Sequence, residues 1–254
     1  MNEFTFTGER LHEGDGRFVL DIARHHAAYQ VALDHSGGGR VLDLGCGSGH
    51  GTSLLAAADS RVFGFDRVFP DAASRDSGGH FVLGTLEAIP LRPASFDLVA
   101  SFQVIEHLVD PSFYVDAIAD LLRPSGLALI TTPNVLTSDG VNPFHVHEYR
   151  AYELAGTLRR RFADVEIRGI SPTDRIRQVL AERSRKIRRI MRLDPLRIRD
   201  RLPGGLIHWL FARFAMLVRQ PSAEDEPAVS WRDFPVGPAD DDCLDLLALC
   251  RRPR

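Results

Sequence analysis

A few residues in this sequence have types and spacings that could do chemistry. Asp43 stands two positions before a run of alternating glycines, Gly45, Gly47 and Gly49, with Cys46 between the first two. Asp66 closes an apolar segment about 20 residues further on. Glu106 and His107 are adjacent, and His145 and His147 alternate in a loop that also holds Asn142 and Pro143. Alternating glycines let the backbone approach a bound group closely. An acid beside them would meet a cationic group and would repel a pyrophosphate. An acid at the end of the next strand can accept from both hydroxyls of a ribose. Histidine exchanges protons near neutral pH, and two of them two positions apart in an extended segment face the same way. Each of these histidines could equally do no more than hydrogen-bond loop backbone, and Asp66 could be a turn or cap aspartate.

The elements that must position these groups follow from periodicity. Residues 18–33 carry Phe18, Ile22, His25 or His26, Tyr29 and Leu33 at helical spacing, and Ser36-Gly-Gly-Gly39 ends that helix. Strands are expected at 40–44, 61–66, 80–84, 96–103, 127–133 and 164–169, with helices after the glycine loop and over 110–122 and 151–161. The segment 242–250 reads as a buried strand. Strand, glycine turn, helix is how an α/β sheet builds a nucleotide pocket at the carboxyl end of its first strand. The spacing here is G-x-G-x-G. The dinucleotide fingerprint G-x-G-x-x-G fails, because its third glycine would fall on His50 or Thr52.

The motif Val41-Leu-Asp-Leu-Gly-Cys-Gly-Ser-Gly49 resembles the first motif of the class I S-adenosylmethionine (SAM) dependent methyltransferases. The block from Ser101-Phe-Gln-Val-Ile-Glu-His107 to Leu127-Ala-Leu-Ile-Thr-Thr-Pro133 resembles the ubiquinone-type and sugar-type O-methyltransferases of that class. Together the matches span roughly residues 40 to 170. The resemblance implies an α/β Rossmann-like sheet of seven strands, with the last antiparallel between the fifth and sixth. It divides the chain into a cap segment and helix (1–39), a SAM-binding core (40–170), a basic helical insertion between strands six and seven (171–241) and a final core strand (242–254).

SAM is the cofactor the resemblance implies. Its contacts would come from Asp43, Gly45, Cys46, Gly47, Gly49, Asp66, Arg67, Thr85, Leu86, Phe102, Gln103 and Glu106. Thr85 stands where the family usually has Asp at the adenine, and Leu86 would pack on the ring. His107, His145 and His147 are the candidates for a base that takes a proton from an acceptor hydroxyl. Glu106 could also orient one of them. The sequence shows no acidic cluster of the kind a metal would need, so no metal is expected. The Asn-Pro-Pro-Tyr motif of amine methylases acting on nucleobases is absent where Ser101-Phe-Gln-Val104 stands.

The leading reading is therefore transfer of a methyl group to a hydroxyl oxygen of a small-molecule, glycan or lipid-linked acceptor. An N-methyltransferase, a non-catalytic SAM-binding protein and an NAD-dependent oxidoreductase are the competing readings. Broken glycine spacing and Asp43 count against the last.

Composition narrows the rest. A chain of 254 residues with 44% hydrophobic and 26% charged residues suits one globular domain with an appendage. The net charge of −3 favours no partner class, but residues 174–201 hold eleven Arg or Lys against four acids. Two amphipathic stripes follow, Ile176 to Met191 and Ile207 to Val218, and residues 219–241 read as irregular. The stripes would cap the acceptor pocket, or residues 174–218 would lie against an anionic membrane. Aromatic interleaving within the basic run is missing, which counts against nucleic acid. Three cysteines without ligand or disulfide spacing, no leader-like apolar core and no run of about 18 apolar residues lead to an expected cytoplasmic location, or one at the inner membrane face. Oligomeric state is not legible.

Overall fold

The computed structural model describes residues 18–58, 61–138, 140, 142–191 and 229–254. One eight-stranded sheet carries the core, in the order β3-β2-β1-β4-β5-β8-β6-β7. The strands are β1 (Val41–Leu44), β2 (Val62–Asp66), β3 (His80–Leu83), β4 (Phe96–Phe102), β5 (Leu122–Pro133), β6 (Phe162–Ile170), β7 (Val236–Pro238) and β8 (Asp245–Pro253). Around them lie α1 (Val19–Ser36), α2 (His50–Ala56), α3 (Ala72–Arg75), α4 (Ser112–Leu121), α5 (Ala151–Leu158) and α6 (Asp174–Met191).

The inner strands read as near-continuous apolar runs because both faces are covered. Alternate residues point to opposite faces. Leu42, Leu44, Val99, Ile130 and Ala248 pack with Tyr114 and Ile118 of α4 and Leu154 and Leu158 of α5. Val41, Leu98, Ala100, Leu129 and Leu249 pack with Ala27, Tyr29 and Ala32 of α1, Leu55 of α2 and Ile176 of α6. The buried face of α1 is mostly alanine, Ala23, Ala27, Ala28 and Ala32 with Tyr29, rather than the larger stripe expected. Small side chains let this helix lie close over the sheet. Gly37 ends it in the left-handed conformation at φ 53°.

β1 is the switch point. From it the chain steps through β2 to β3 on one side, and through β4 to β5 on the other. The crevice that results at the carboxyl end of β1 is where such sheets bind ligands. β8 lies antiparallel between β5 and β6, as expected.

The strand count differs from the expected seven. β7, drawn from the stretch expected to be irregular, pairs antiparallel with the outer edge of β6 through Arg168, Gly169 and Ile170. A three-residue strand that ends on a proline carries almost no periodic signal, and covering an open edge is a common use for one. The residues leading into it also belong to the core, with Phe234 only 1% exposed. The expected insertion is thus partly integrated into the fold.

The first turns of α6 dock through buried Ile176 and part-buried Leu180, while Arg175, Arg177 and Arg185 are exposed. Arg175 pairs with Asp233 at 2.7 Å. The second stripe (207–218) lies outside the described residues. No helix among the described residues is long and apolar enough to cross a membrane.

Candidate active site

The glycine loop is held against β2. The amides of Gly45 and Cys46 both donate to the Phe65 carbonyl, at 2.8 and 3.1 Å. Gly45, Gly47 and Gly49 adopt φ of +84°, +56° and +89°, a region costly for other residues. A Cβ on Gly45 would stand 2.5 Å from Cγ2 of Val104, and one on Gly49 would stand 2.8 Å from Cβ of Ser74. A Cβ on Gly47 would meet no protein atom within 4 Å. The outer two glycines are thus required by the protein's own packing. Gly47 instead presents bare backbone to the crevice, the cradle a cofactor needs.

Asp66, at the end of β2, is oriented by two backbone amides. Its Oδ2 accepts from Gly47 at 2.8 Å and its Oδ1 from Val68 at 2.9 Å. Each carboxylate oxygen has a second lone pair, so both can still accept from a ribose. Asp43 sits lower, beneath the loop, 1% exposed. It accepts from the Thr52 hydroxyl at 2.7 Å and from the Tyr29 hydroxyl at 3.1 and 3.2 Å. Burial pushes its pKa up to about 6, against the pull of those hydroxyls. The carboxylate therefore acts on the crevice from the floor rather than from the wall. Cys46 is 7% exposed, and burial, then Asp43, pushes its thiol far up, so it serves as packing.

The expected adenine side is more open. Thr85 is exposed, bridges to Ala88 and shares a hydrogen bond with the Glu87 carboxylate. Glu87 is held below the usual carboxylate range, first by its own backbone amide and then by Thr85. It adds a charge there that the family pattern does not point to. Leu86 is half-buried against the core, and Arg67 is exposed. The Phe102 ring is buried edge-on to Tyr29, with centroids 4.8 Å apart. Gln103 has φ +56°, and its amide donates to the Thr131 carbonyl at 3.1 Å. Ala94 and Arg252 are the other non-glycine residues with positive φ among the described residues.

The histidines come together at the same edge of the sheet. A 3₁₀ turn, Ile105–His107, follows β4. The carbonyl of Glu106 accepts from Val146 at 2.7 Å and from His147 at 3.2 Å, which ties the 142–148 loop to that turn. His107 Nδ1 lies 3.0 Å from the Phe144 carbonyl. A carbonyl only accepts, so Nδ1 carries the proton and Nε2 is the basic nitrogen. Oε1 of the fully buried Glu106 lies 4.0 Å from that Nε2.

His145 lies edge-on to His107, with ring centroids 5.2 Å apart. Its Nδ1 bonds Glu148 Oε1 at 2.6 Å, and its Nε2 is 2.8 Å from the Asn142 amide nitrogen. His147 is exposed and stands edge-on to Tyr149. As the alternation implies, His145 and His147 line one cavity, of about 490 Å³, together with Val135, Asn142, Glu148 and Arg150.

The ligand-capable atoms of Glu106, His107 and His145 all lie within 4.8 Å of one another. The expectation of no metal rested on the lack of an acidic cluster in the sequence. The fold assembles this carboxylate and two imidazoles from separate segments, where no spacing rule could find them.

Sequence reasoning missed several contacts that α1 makes with the rest of the fold. Tyr29 and Thr52 hold Asp43. Arg24 pairs with the buried Asp245 at 3.2 Å, tying α1 to the start of β8. His26 stacks on His50, centroids 4.5 Å apart, across the α1–α2 contact. His25 is held down at about 3 by burial and then by Arg24, so it stays neutral.

The methyltransferase domain model matches residues 42–130. A probable SAM-dependent methyltransferase of Mycobacterium tuberculosis is 33% identical over 270 aligned residues, covering 98% of this chain and 90% of the relative. One of Mycolicibacterium smegmatis is 38% identical over 168 residues, 63% of this chain and 65% of that protein. A ubiquinone biosynthesis O-methyltransferase of Xylella fastidiosa is 33% identical over 124 residues, and the match spans 50% of its length. Among solved structures, a Burkholderia thailandensis 1,6-didemethyltoxoflavin-N1-methyltransferase with bound S-adenosylhomocysteine aligns with TM-score 0.50 and 28% identity, over 60% of this chain and 75% of that one. With a relative 33% identical over 98% of this chain and 90% of its own length, this chain belongs to the SAM-dependent methyltransferases.

Proposed function

We propose that this enzyme methylates a hydroxyl oxygen of a small-molecule, glycan or lipid-linked acceptor, with His107 as the base. The observation that carries the reading is the fixed tautomer of His107. Its Nδ1 proton is committed to the Phe144 carbonyl at 3.0 Å, which leaves Nε2 to accept. An amine acceptor that arrives neutral needs no such group, whereas a hydroxyl must lose its proton as the new bond forms.

Bound SAM supplies the electrophilic methyl group. Asp66 accepts from the ribose hydroxyls, and the amides it orients keep the loop in register. Val104 packs at Gly45, so the turn that carries His107 is braced against the cofactor loop itself. Such bracing fixes acceptor and cofactor relative to one another, and orientation alone supplies several powers of ten. When His107 takes the hydroxyl proton it becomes a cation, and the Glu106 carboxylate 4.0 Å away stabilises it. Glu148, which the His145 hydrogen bond holds below the usual carboxylate range, keeps a second negative charge at the acceptor cavity. His145 bridges Glu148 and His107 and shapes the wall between them.

The test is transfer of labelled methyl from SAM into fractionated cell extract, followed by identification of the labelled product. An O-methyl ether supports the reading. Label on nitrogen, the chemistry named for the Burkholderia neighbour, overturns it.

A further inference from the structure

We propose that Tyr29 is a positioning residue for cofactor binding, acting through Asp43, so that docking of α1 and the charge beneath the glycine loop are set together. The proposal rests on the reading that SAM binds over this loop. The first observation is Gly51. It lies in the first turn of α2, where a glycine normally costs helix stability, and it shows no left-handed φ that would require one. A Cβ there would stand 1.8 Å from Cζ and 2.1 Å from the hydroxyl oxygen of Tyr29. Gly51 is thus the opening through which a phenol from the cap helix reaches into the sheet.

The second observation is what the phenol reaches. Its hydroxyl lies 3.1 and 3.2 Å from the two Asp43 oxygens, while the Thr52 hydroxyl lies 2.7 Å from one of them. Asp43 is 1% exposed and forms no ion pair among the described residues. Its negative charge is therefore held by neutral donors alone until a cationic ligand arrives above. Hydrogen bonds to a carboxylate favour its ionised form, and losing one favours the protonated form.

Other titratable groups face the same spot. Asp66 from β2 and Cys46 from the loop act on Asp43 directly, and His26 and His50 meet where α1 and α2 touch. Asp43 is already pushed up to about 6, so one lost donor moves its titration toward neutrality.

The test is the SAM dissociation constant, by calorimetry from pH 5 to pH 8, for the parent protein, Tyr29→Phe and Asp43→Asn. For the parent, affinity should fall about tenfold from pH 7 to pH 5 as Asp43 takes up a proton. In Tyr29→Phe the acid limb should move up by about half a pH unit, giving roughly 1.5-fold weaker binding at pH 6.5, about threefold near pH 5 and parental affinity near pH 8. A loss that is equal at every pH would mean Tyr29 only packs, and would overturn the proposal, as would no loss at all. An acid limb that survives in Asp43→Asn would belong to His26 and His50, and would also overturn it. Unchanged affinity of Asp43→Asn at every pH would instead mean that the cofactor does not sit over this loop. If Tyr29→Phe fails to fold, Thr52→Val should shift the limb the same way and Thr52→Ser should restore it; no shift in Thr52→Val would count against the proposal.

Discussion

The two halves of the sheet's carboxyl edge are built differently. The cofactor half comes from one continuous stretch, residues 40–52, plus the end of the next strand. Its geometry is backbone geometry: three left-handed glycines, two amides on the Phe65 carbonyl and two amides on Asp66. The histidine half is collected from the turn after β4 and the 142–148 loop, and it consists of side chains held by tertiary contacts, while α1 reaches both, through Tyr29 on Asp43 and Arg24 on Asp245 at the start of β8. The methyltransferase domain model takes in the glycine loop, Asp66 and the turn that carries His107. It ends at residue 130, before the loop that carries His145 and Glu148. Local spacing therefore sets the glycine-loop half, and long-range packing sets the histidine half.

Substitutions can break or sharpen this division. The largest effect is expected for Gly47→Val. Its Cβ has open space on the protein side, so the fold should survive with the modest strain of a left-handed residue, about 1–2 kcal/mol. SAM binding should nevertheless be lost, because the side chain fills the cradle. Calorimetry alongside thermal melting reads both. A folded Gly47→Val protein that binds SAM as the parent does would dissolve the boundary between the halves.

Next in size is His107→Gln, which should lower turnover by roughly a hundredfold or more, in the range typical of a lost general base. Steady-state assays with the identified acceptor measure it, and unchanged turnover would remove the base from this half.

The smallest effect is expected for His147→Ala. This ring is exposed at the cavity wall and contacts Tyr149, so turnover should change by less than about threefold. A loss as large as that of His107→Gln would mean that the acceptor half is organised around the outer histidine instead.

The same contrast explains what the sequence could reveal. Asp43, Gly47 and Asp66 were legible because strand, turn and helix periods put them on one edge without reference to any other segment. The chain positions of the first six strands followed from periodicity, and the antiparallel return of the last from the family resemblance. β7 was not legible, because three residues running into Pro238 have no period to read. Neither was Tyr29, which looked like one more apolar position on a helix; Gly51 was the hint, a glycine beyond the number the loop required. The role of Glu148 was hidden for another reason. A carboxylate three residues from a histidine becomes its partner only when the loop curls back, and the curl is set by bonds from Val146 and His147 to the carbonyl of Glu106. Choosing among His107, His145 and His147 needed those tertiary bonds as well.

The division itself is tested most directly by the calorimetric dissociation constant for SAM of a His107→Gln, His145→Gln double variant. If cofactor capture belongs to the glycine-loop half alone, the constant should stay within about twofold of the parent value. A loss of about tenfold or more, equivalent to about 1.4 kcal/mol, would show that the histidine edge helps to hold the cofactor and would contradict the account.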